Sequence, residues 1–254
     1  MRSLLPAGGP IEVANLVDGL GLSDLAGASE DTRPYLVLNM VSTADGRATL
    51  SGRSGAIGDS ADRALFHGLR TVVDAVMAGA GTVRTEGYRR LVREPSARAL
   101  RAKRGLAEEP LACIVSGRLA LDGQVPLLAD PQARVAILTA SQASLPPGCQ
   151  AQVEYVRCVR EGRLDLAAAL RELRERLGVR TVLCEGGPHL NANLLAASLV
   201  DELFLSLAPT LAGGDATSES LRIVTGRDLD PPVAMELIGA HEHHSHLFLR
   251  YRVR

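Results

Sequence analysis

Apolar positions along the chain alternate between two periodicities, and this alternation predicts an α/β protein. The clearest helix is predicted over 165–177, where leucines recur at helical spacing and Gly178 follows as a cap. Further helices are predicted over 60–70, 94–105 and 188–197, with a short one from Thr82. Short apolar runs predict buried strands over 35–41, 72–79, 111–116, 135–139, 153–156, 181–184 and 203–208.

The end of the chain has a different pattern. Residues 235–241 and 246–252 predict two strands joined by a tight turn, which is an antiparallel hairpin. We therefore expect a mostly parallel central sheet with helices on both faces and an antiparallel edge. Residues 1–33 predict an irregular N-terminal arm with one or two helical turns, and residues 34–254 predict a single domain.

Composition narrows the classes of function. The chain has 254 residues, no Trp and 3% aromatic residues, so its core must be aliphatic and a base-stacking surface for nucleic acid is disfavoured. A net charge of −1 indicates neither a nucleic-acid nor a membrane partner. Because no segment is long enough for a bilayer span or a signal peptide, we expect the cytoplasm. The four cysteines form no CxxC pair, and Cys113 and Cys184 are expected to be buried and free.

The segment TVLCEGGPHLNANLL, at 181–195, carries the strongest chemical signal. A predicted strand ends at Glu185, two glycines follow, and Pro188 opens a predicted helix. Bare amides of Gly186 and Gly187 at a helix N-terminus suit a phosphate, and a carboxylate at a strand end suits a polar substrate group. The same pattern, taken alone, is more often only a turn.

A second glycine-rich turn, Gly79-Ala80-Gly81-Thr82, also follows a strand and opens a helix. It lacks the GxGxxG spacing of the Rossmann fingerprint and the GK[ST] of a P-loop, so those nucleotide folds are disfavoured. A plain turn is the simpler interpretation of this motif by itself. Together, the two turns suggest a pair of cradles for a diphosphate.

Three further residues each allow a structural and a functional interpretation. Asp45, followed by glycine, is either a simple turn residue or part of a surface on which a ring packs. Arg70 either forms a surface ion pair with Asp74 or binds an anionic substrate group. Arg118 either is solvated or contacts a 2′-phosphate, which would select NADP over NAD.

The histidines near the C-terminus raise the question of a metal. His241 and His243 would share one face of a strand, and His244 and His246 the other. Since no carboxylate or cysteine cluster accompanies them in the sequence, we expect no metal site.

Several motifs in order resemble the reductase domain of the bifunctional riboflavin-biosynthesis deaminase-reductase. The resemblance spans roughly residues 34–252 and implies the dihydrofolate reductase-like fold. The zinc-binding motifs of that family's deaminase domain are absent from the sequence, so we expect a free-standing reductase. The matching motifs are STADGR, LRTVVDAVMAGAGTV, CEGGPHLNANLL and LVDELFLSLAPTLAGG.

The resemblance implies that NADPH reduces the ribosyl side chain of 5-amino-6-(5-phosphoribosylamino)uracil by hydride transfer to C1′. Glu185 is the expected catalytic residue, assisted by Asp45, with a water supplying the proton. Matched positions imply cofactor contacts at Ala56, Thr82, Glu86, Ser116 and 187–193, a stretch that includes Gly187, Pro188, His189 and Leu190. To these the residue patterns add Gly79, Gly81, Arg118 and Gly186. Matched positions imply substrate contacts at Ser54, Arg70, Arg93 and Glu185.

The chain departs from the family pattern at two places. Ala56 stands where family members often have an aromatic residue, and 86–91 reads EGYRRL instead of an Asp-Pro-containing segment. Dihydrofolate therefore remains an alternative substrate, and a non-catalytic nucleotide-binding protein is a second alternative. Because this fold family commonly pairs subunits through sheet edges, we expect a homodimer formed through the C-terminal hairpin.

Overall fold

The computed structural model describes residues 1–28, 32–121, 125–214 and 221–254. The described helices are α1 (Val13–Asp18), α2 (Leu22–Ala28), α3 (Ser60–Leu69), α4 (Ala80–Thr85), α5 (Pro95–Lys103), α6 (Leu166–Leu177) and α7 (Pro188–Ala196). The first six strands are β1 (Arg2–Leu5), β2 (Tyr35–Thr43), β3 (Ala75–Gly79), β4 (Leu111–Val115), β5 (Arg134–Thr139) and β6 (Gln152–Arg157). The remaining strands are β7 (Val159–Arg160), β8 (Arg163–Leu164), β9 (Thr181–Cys184), β10 (Glu202–Ala208), β11 (Met235–His243) and β12 (His246–Val253).

These elements belong to two compact units. Unit 1 combines three separate stretches of chain, Met1–Leu20, Leu36–Leu69 and Glu185–Arg254. Unit 2 combines Gly21–Tyr35 and Arg70–Cys184. Each unit is therefore built from segments that are distant in the sequence.

In unit 1 the strands follow the order β1-β11-β12-β10-β2. β2 and β10 run parallel, whereas β12 is antiparallel to β10 and β11 is antiparallel to β12. The predicted C-terminal hairpin is therefore confirmed. The buried apolar side chains of this unit include Leu36, Leu38, Leu65, Leu69, Phe204 and Phe248.

The first residues of the chain are more regular than the sequence indicated. The prediction of an irregular arm is wrong at β1, which pairs with β11 so that Ser3 lies opposite His241. Val17 of α1 is buried, and a Cβ added to Gly68 of α3 would come within 2.9 Å of its side chain. Glycine at position 68 therefore allows α1 to pack closely on α3.

Unit 2 contains five parallel strands in the order β9-β3-β4-β5-β6. β3, β4 and β9 are almost continuously apolar and buried, as expected for parallel strands covered on both faces. Cys113 and Cys184 each lie opposite Met77 in the register, are buried and are free, as predicted. Burial raises the pKa of the Cys113 thiol to about 12, so this side chain behaves as a small apolar group.

The α6 helix ends where the sequence predicted and begins one residue later, at Leu166, because Asp165 caps it. The Asp165 side chain accepts a hydrogen bond from the amide of Ala168, and Gly178 ends the helix with φ at 68°. The small β7–β8 hairpin that precedes it was not predicted, because its two-residue strands carry no periodic signal.

A buried guanidinium fixes the start of β3. Arg101 of α5 is only 1% exposed, and its Nη1 donates to the carbonyls of Arg70 and Val73 at 2.5 and 2.7 Å. Its Nε donates to the carbonyl of Ala107 at 2.7 Å. Desolvation lowers its pKa to about 10, so the side chain remains a cation at neutral pH. The bonds to Arg70 and Val73 hold this segment outside the ladder, and β3 begins at Ala75 rather than at the predicted residue 72.

The predicted α/β class with mostly parallel strands is thus confirmed. In the part of the chain that the structure describes, every helix is too short or too polar to cross a bilayer.

A buried ion pair joins two strands of unit 1. Glu202 of β10 has a side chain only 1% exposed, and Arg250 of β12 contacts both of its oxygens, at 2.7 and 2.9 Å. Arg252, two residues further along β12, pairs with Glu236 at 3.4 Å in an exposed position. The Arg250–Glu202 and Arg252–Glu236 ion pairs therefore allow a matched comparison, since the first is buried and the second is exposed.

Replacing Arg250 by Met should lower the free energy of unfolding by about 3 kcal/mol, because the buried carboxylate of Glu202 loses its ion pair with Arg250. Arg252→Met should change it by less than about 1 kcal/mol, since exposed pairs contribute little. Urea denaturation of both variants measures the difference. Equal effects of the two substitutions would contradict the assignment of Arg250 to a buried pair.

Candidate functional site

Two of the predicted cofactor positions lie at the carboxyl ends of neighbouring strands in unit 2. Gly79 ends β3 opposite Val115 of β4, and Ser116 follows Val115 directly. The amide of Ser116 donates to the carbonyl of Leu138, and its hydroxyl accepts from the amide of Ala120 at 2.9 Å. The parallel register thus brings Gly79 and Ser116 to one sheet edge, where α/β folds bind ligands.

The turn after β3 leaves backbone accessible. Gly79 precedes α4 in an extended conformation, and no side chain caps the helix there. A Cβ added to the exposed Gly81 would meet nothing within 4 Å, so the space beside this backbone is open. Thr82 is half-buried, Glu86 ends the helix in an exposed position, and Arg118 is exposed in the turn after β4.

The expected substrate arginines of unit 2 differ in their surroundings. Arg70 is only 8% exposed, so the interpretation of this residue as part of a surface ion pair is wrong. Its Nη1 donates to the carbonyl of Leu91 at 2.9 Å, and its guanidinium carbon lies 5.7 Å from the centre of the Tyr88 ring. Asp74 accepts bonds from both the amide and the hydroxyl of Thr181. Arg93 is exposed.

In unit 1, Asp45 holds two loops together. Its carboxylate accepts hydrogen bonds from the hydroxyl of Thr43 at 2.5 Å and from the amides of Ala212 and Gly213. These bonds, that of Thr43 first, lower the pKa of Asp45 to about 2. Asp45 is therefore ionised at neutral pH and cannot serve as a proton donor there.

The Glu-Gly-Gly segment adopts a conformation that its sequence explains. Glu185 is 8% exposed and follows β9 directly. Gly186 has φ at 96°, a value that favours glycine, and the Gly186–Gly187 peptide bond is cis. Gly187 precedes α7 without a side-chain cap, and Pro188 occupies the first turn, where its missing amide costs nothing.

Sequence reasoning placed His189 and Asn191 among the expected cofactor contacts but missed the contacts by which they support this segment. Asn191 is fully buried, and its Nδ2 donates to the carbonyl of Ile223 at 2.8 Å and to Met40 Sδ at 3.3 Å. A Cβ on Gly226 would come within 2.0 Å of the His189 ring, so this ring lies against bare backbone. The single signal of this support in the sequence was Asn191, a polar residue inside a predicted helix.

The two remaining expected positions lie just before α3. Ser54 is half-buried, and its carbonyl accepts a hydrogen bond from the amide of Ile57 at 3.0 Å. Ala56 is exposed and Ile57 is buried. Ile57 therefore anchors a short turn that leaves Ala56 on the surface.

The sequence profile of the RibD C-terminal domain family matches residues 34–240. The chain is similar to the 2,5-diamino-6-ribosylamino-4(3H)-pyrimidinone 5′-phosphate reductase of Archaeoglobus fulgidus, with 33% identity over 189 residues, 72% of this chain and 83% of that protein. The enzyme of the same name from Methanothermobacter thermautotrophicus is 26% identical over 227 residues, 87% of this chain and 99% of that protein.

A solved structure shows a shared fold. The pyrimidine reductase-like protein from Corynebacterium diphtheriae superposes with a TM-score of 0.74 at 24% identity, over 96% of this chain and 99% of that one. The fold that the resemblance implied is thereby confirmed.

The carboxyl of Asp45 should titrate near pH 2, well below its ordinary value of 3.8. Its contribution to stability should be fully present above pH 3.8 and be lost as the pH falls toward 2. Thr43→Val removes the strongest hydrogen bond and should raise the pKa. Carbon-detected NMR of the side-chain carboxyl follows both titrations, and an unshifted pKa in the wild-type chain would refute the network.

Proposed function

Because this chain belongs to the RibD C-terminal domain family, we propose that it is an NADPH-dependent reductase of the riboflavin pathway. The proposed substrate is a ribosylaminopyrimidine 5′-phosphate, whose ribosyl side chain is reduced at C1′ to the ribityl form. The observation that carries this proposal is the similarity to two archaeal reductases over 83% and 99% of their length.

Two pyrimidine rings fit this description. The archaeal relatives are named for the 2,5-diamino-4(3H)-pyrimidinone, whereas the resemblance of the sequence motifs suggested the corresponding uracil. The rings differ at position 2, which carries an amino group in the first and an oxo group in the second. We propose the diaminopyrimidinone phosphate, because the matching relatives that carry its name are reductases of similar length.

The glycine-rich turns support binding of NADPH. The backbone beside Gly81 is open, and Gly187 precedes α7 without a side-chain cap, so the amides around this helix start are available to a phosphate. We assign cofactor contacts to Ala56, Gly79, Gly81, Thr82, Glu86, Ser116, Arg118, Gly186, Gly187, Pro188, His189 and Leu190. NADPH, when bound, supplies the hydride, and the chain's part is to hold and orient the reactants.

On the substrate side, we assign contacts to Ser54, Arg70, Arg93 and Glu185. Arg70 donates from one guanidinium nitrogen to the carbonyl of Leu91, and a planar guanidinium matches the geometry of a phosphate. In this proposal Glu185 accepts hydrogen bonds from the substrate and fixes its orientation. Asp45 positions residues 212–213, and water supplies the proton.

The test is oxidation of NADPH, followed by absorbance with three substrates in parallel. We expect turnover with the diaminopyrimidinone phosphate, slower turnover with the uracil phosphate and none with dihydrofolate. Turnover with dihydrofolate alone would overturn the proposed substrate. Binding of NADPH without turnover on any of them would favour a non-catalytic role.

Glu185→Gln should lower kcat about 100-fold, because a misplaced acceptor carbon reacts far more slowly. The Kd for NADPH, measured by fluorescence titration, should stay within about threefold of the wild-type value, since the substitution preserves size. Glu236→Gln, in a half-exposed pair on β11, is the matched control and should change neither quantity. A parallel loss of turnover and of NADPH affinity in Glu185→Gln would contradict the assigned role.

We also propose a homodimer formed through the β1 and β11 side of unit 1. Leu4 and Leu5 on β1 and Met235 and Leu237 on β11 are each 40–45% exposed, which is typical of an apolar contact surface. Light scattering at micromolar concentration should give twice the mass of the chain. Leu237→Asp should give monomers, whereas Leu100→Asp, at a similarly exposed position on α5, should not. A monomeric wild-type chain would refute the dimer.

A further inference from the structure

The tip of the β11–β12 hairpin carries three histidines that meet a distant carboxylate. His243 ends β11, His246 begins β12, and His244 lies between them in the turn. The Oδ2 atom of Asp59, which is 184 residues away in the sequence, lies 2.7 Å from Nδ1 of His243. The same oxygen lies 3.8 Å from Nδ1 of His246.

His244 completes a compact set of ligand atoms. Its ring centre lies 4.0 Å from that of His243, with 30° between the planes. One ligand atom each from Asp59, His243 and His244 all lie within 4.8 Å of one another. Around a tetrahedral zinc ion with bonds of about 2.0–2.2 Å, neighbouring ligand atoms are roughly 3.3 Å apart. The Asp59–His243 contact would need to lengthen by a fraction of an ångström, and the other ligand atoms, which lie within 4.8 Å, would need to approach to this spacing.

The carboxylate is held in place by the residues that follow it. Oδ1 of Asp59 accepts a hydrogen bond from the amide of Asp62 at 2.8 Å, at the start of α3. This bond leaves Oδ2 directed at the histidines. The side chains of Asp59, His243 and His246 are 15%, 25% and 14% exposed, whereas His244 is exposed. The cluster is therefore partly desolvated on one side and open to entry on the other.

From this geometry we propose that Asp59, His243 and His244 bind a divalent transition-metal ion of the zinc class, with His246 available as a fourth ligand. Imidazole and carboxylate donors together suit Zn²⁺ and its neighbours Co²⁺ and Ni²⁺ better than Mg²⁺ or Ca²⁺, which prefer oxygen ligands. The bound ion would link the tip of the hairpin to the N-terminus of α3. This site is independent of the proposed reductase activity.

The sequence had indicated that no metal is bound, because no cluster of carboxylates or cysteines accompanied the histidines. Asp59 supplies a carboxylate through the fold, since α3 and the hairpin both belong to unit 1. The competing interpretation is a His–Asp hydrogen bond that serves packing alone. That interpretation requires His243 and Asp59 but gives His244 no role.

Titration of the full-length, untagged chain with Zn²⁺ at pH 7.5, against a chromophoric chelator, separates the two interpretations. We expect one ion per chain, with affinity about tenfold or more weaker in His244→Ala and in Asp59→Asn. Asparagine retains the oxygen that caps α3, so Asp59→Asn should still fold. His67→Ala, which removes an exposed histidine of α3, is the control and should bind as the wild-type chain does.

Thermal unfolding gives a second readout. Saturating Zn²⁺ should raise the Tm of the wild-type chain and of His67→Ala but not that of His244→Ala, because a ligand stabilises only the state that binds it. Undetectable saturable binding would overturn the proposal. So would several weak ions that bind equally well to the wild-type chain, His244→Ala and Asp59→Asn, which is the behaviour of adventitious surface histidines.

Discussion

The guanidinium of Arg101 is the interaction on which the arrangement of unit 2 depends. A buried cation is tolerated only when its donors are satisfied, and Arg101 satisfies them with the backbone carbonyls of Arg70, Val73 and Ala107. These bonds fix the chain where α3 gives way to β3. They also fix the backbone of Arg70, whose side chain donates to the carbonyl of Leu91. The buried side chain of Arg101 therefore positions Arg70, a candidate substrate-binding residue.

Local signals in the sequence were sufficient wherever an element carries its own boundaries. The α6 helix has a stripe of leucines, a capping Asp165 and a terminal Gly178, and all three are visible in the sequence. β3, β4 and β9 of unit 2 are continuous apolar runs and were found for the same reason. By contrast, β1 has only four residues, and its pairing with β11 joins positions more than 200 residues apart. A pairing between such distant segments produces no periodic pattern of apolar residues in the local sequence.

In the candidate site, too, local features could be predicted from the sequence and contacts between distant residues could not. A strand followed by glycines and a helix can be recognised in the sequence, so the turns at Gly79 and Gly187 were predicted. The environment of Asp45 was not, because the amides that lower its pKa come from residues 167 and 168 positions away. The same holds for Asn191, whose buried amide supports α7 from within, and for the carboxylate that meets the histidines of the hairpin.

The interleaved composition of unit 1 bears on how the chain folds during synthesis. All residues of unit 2 have left the ribosome's active centre once Cys184 is made, whereas β10, β11 and β12 of unit 1 come later. β12 lies between β10 and β11 yet is synthesised after both, so a nascent chain exposes the unpaired edges of both neighbours until β12 has emerged. Unit 1 can therefore close only after β12 has emerged, and until then the chain is most exposed to aggregation.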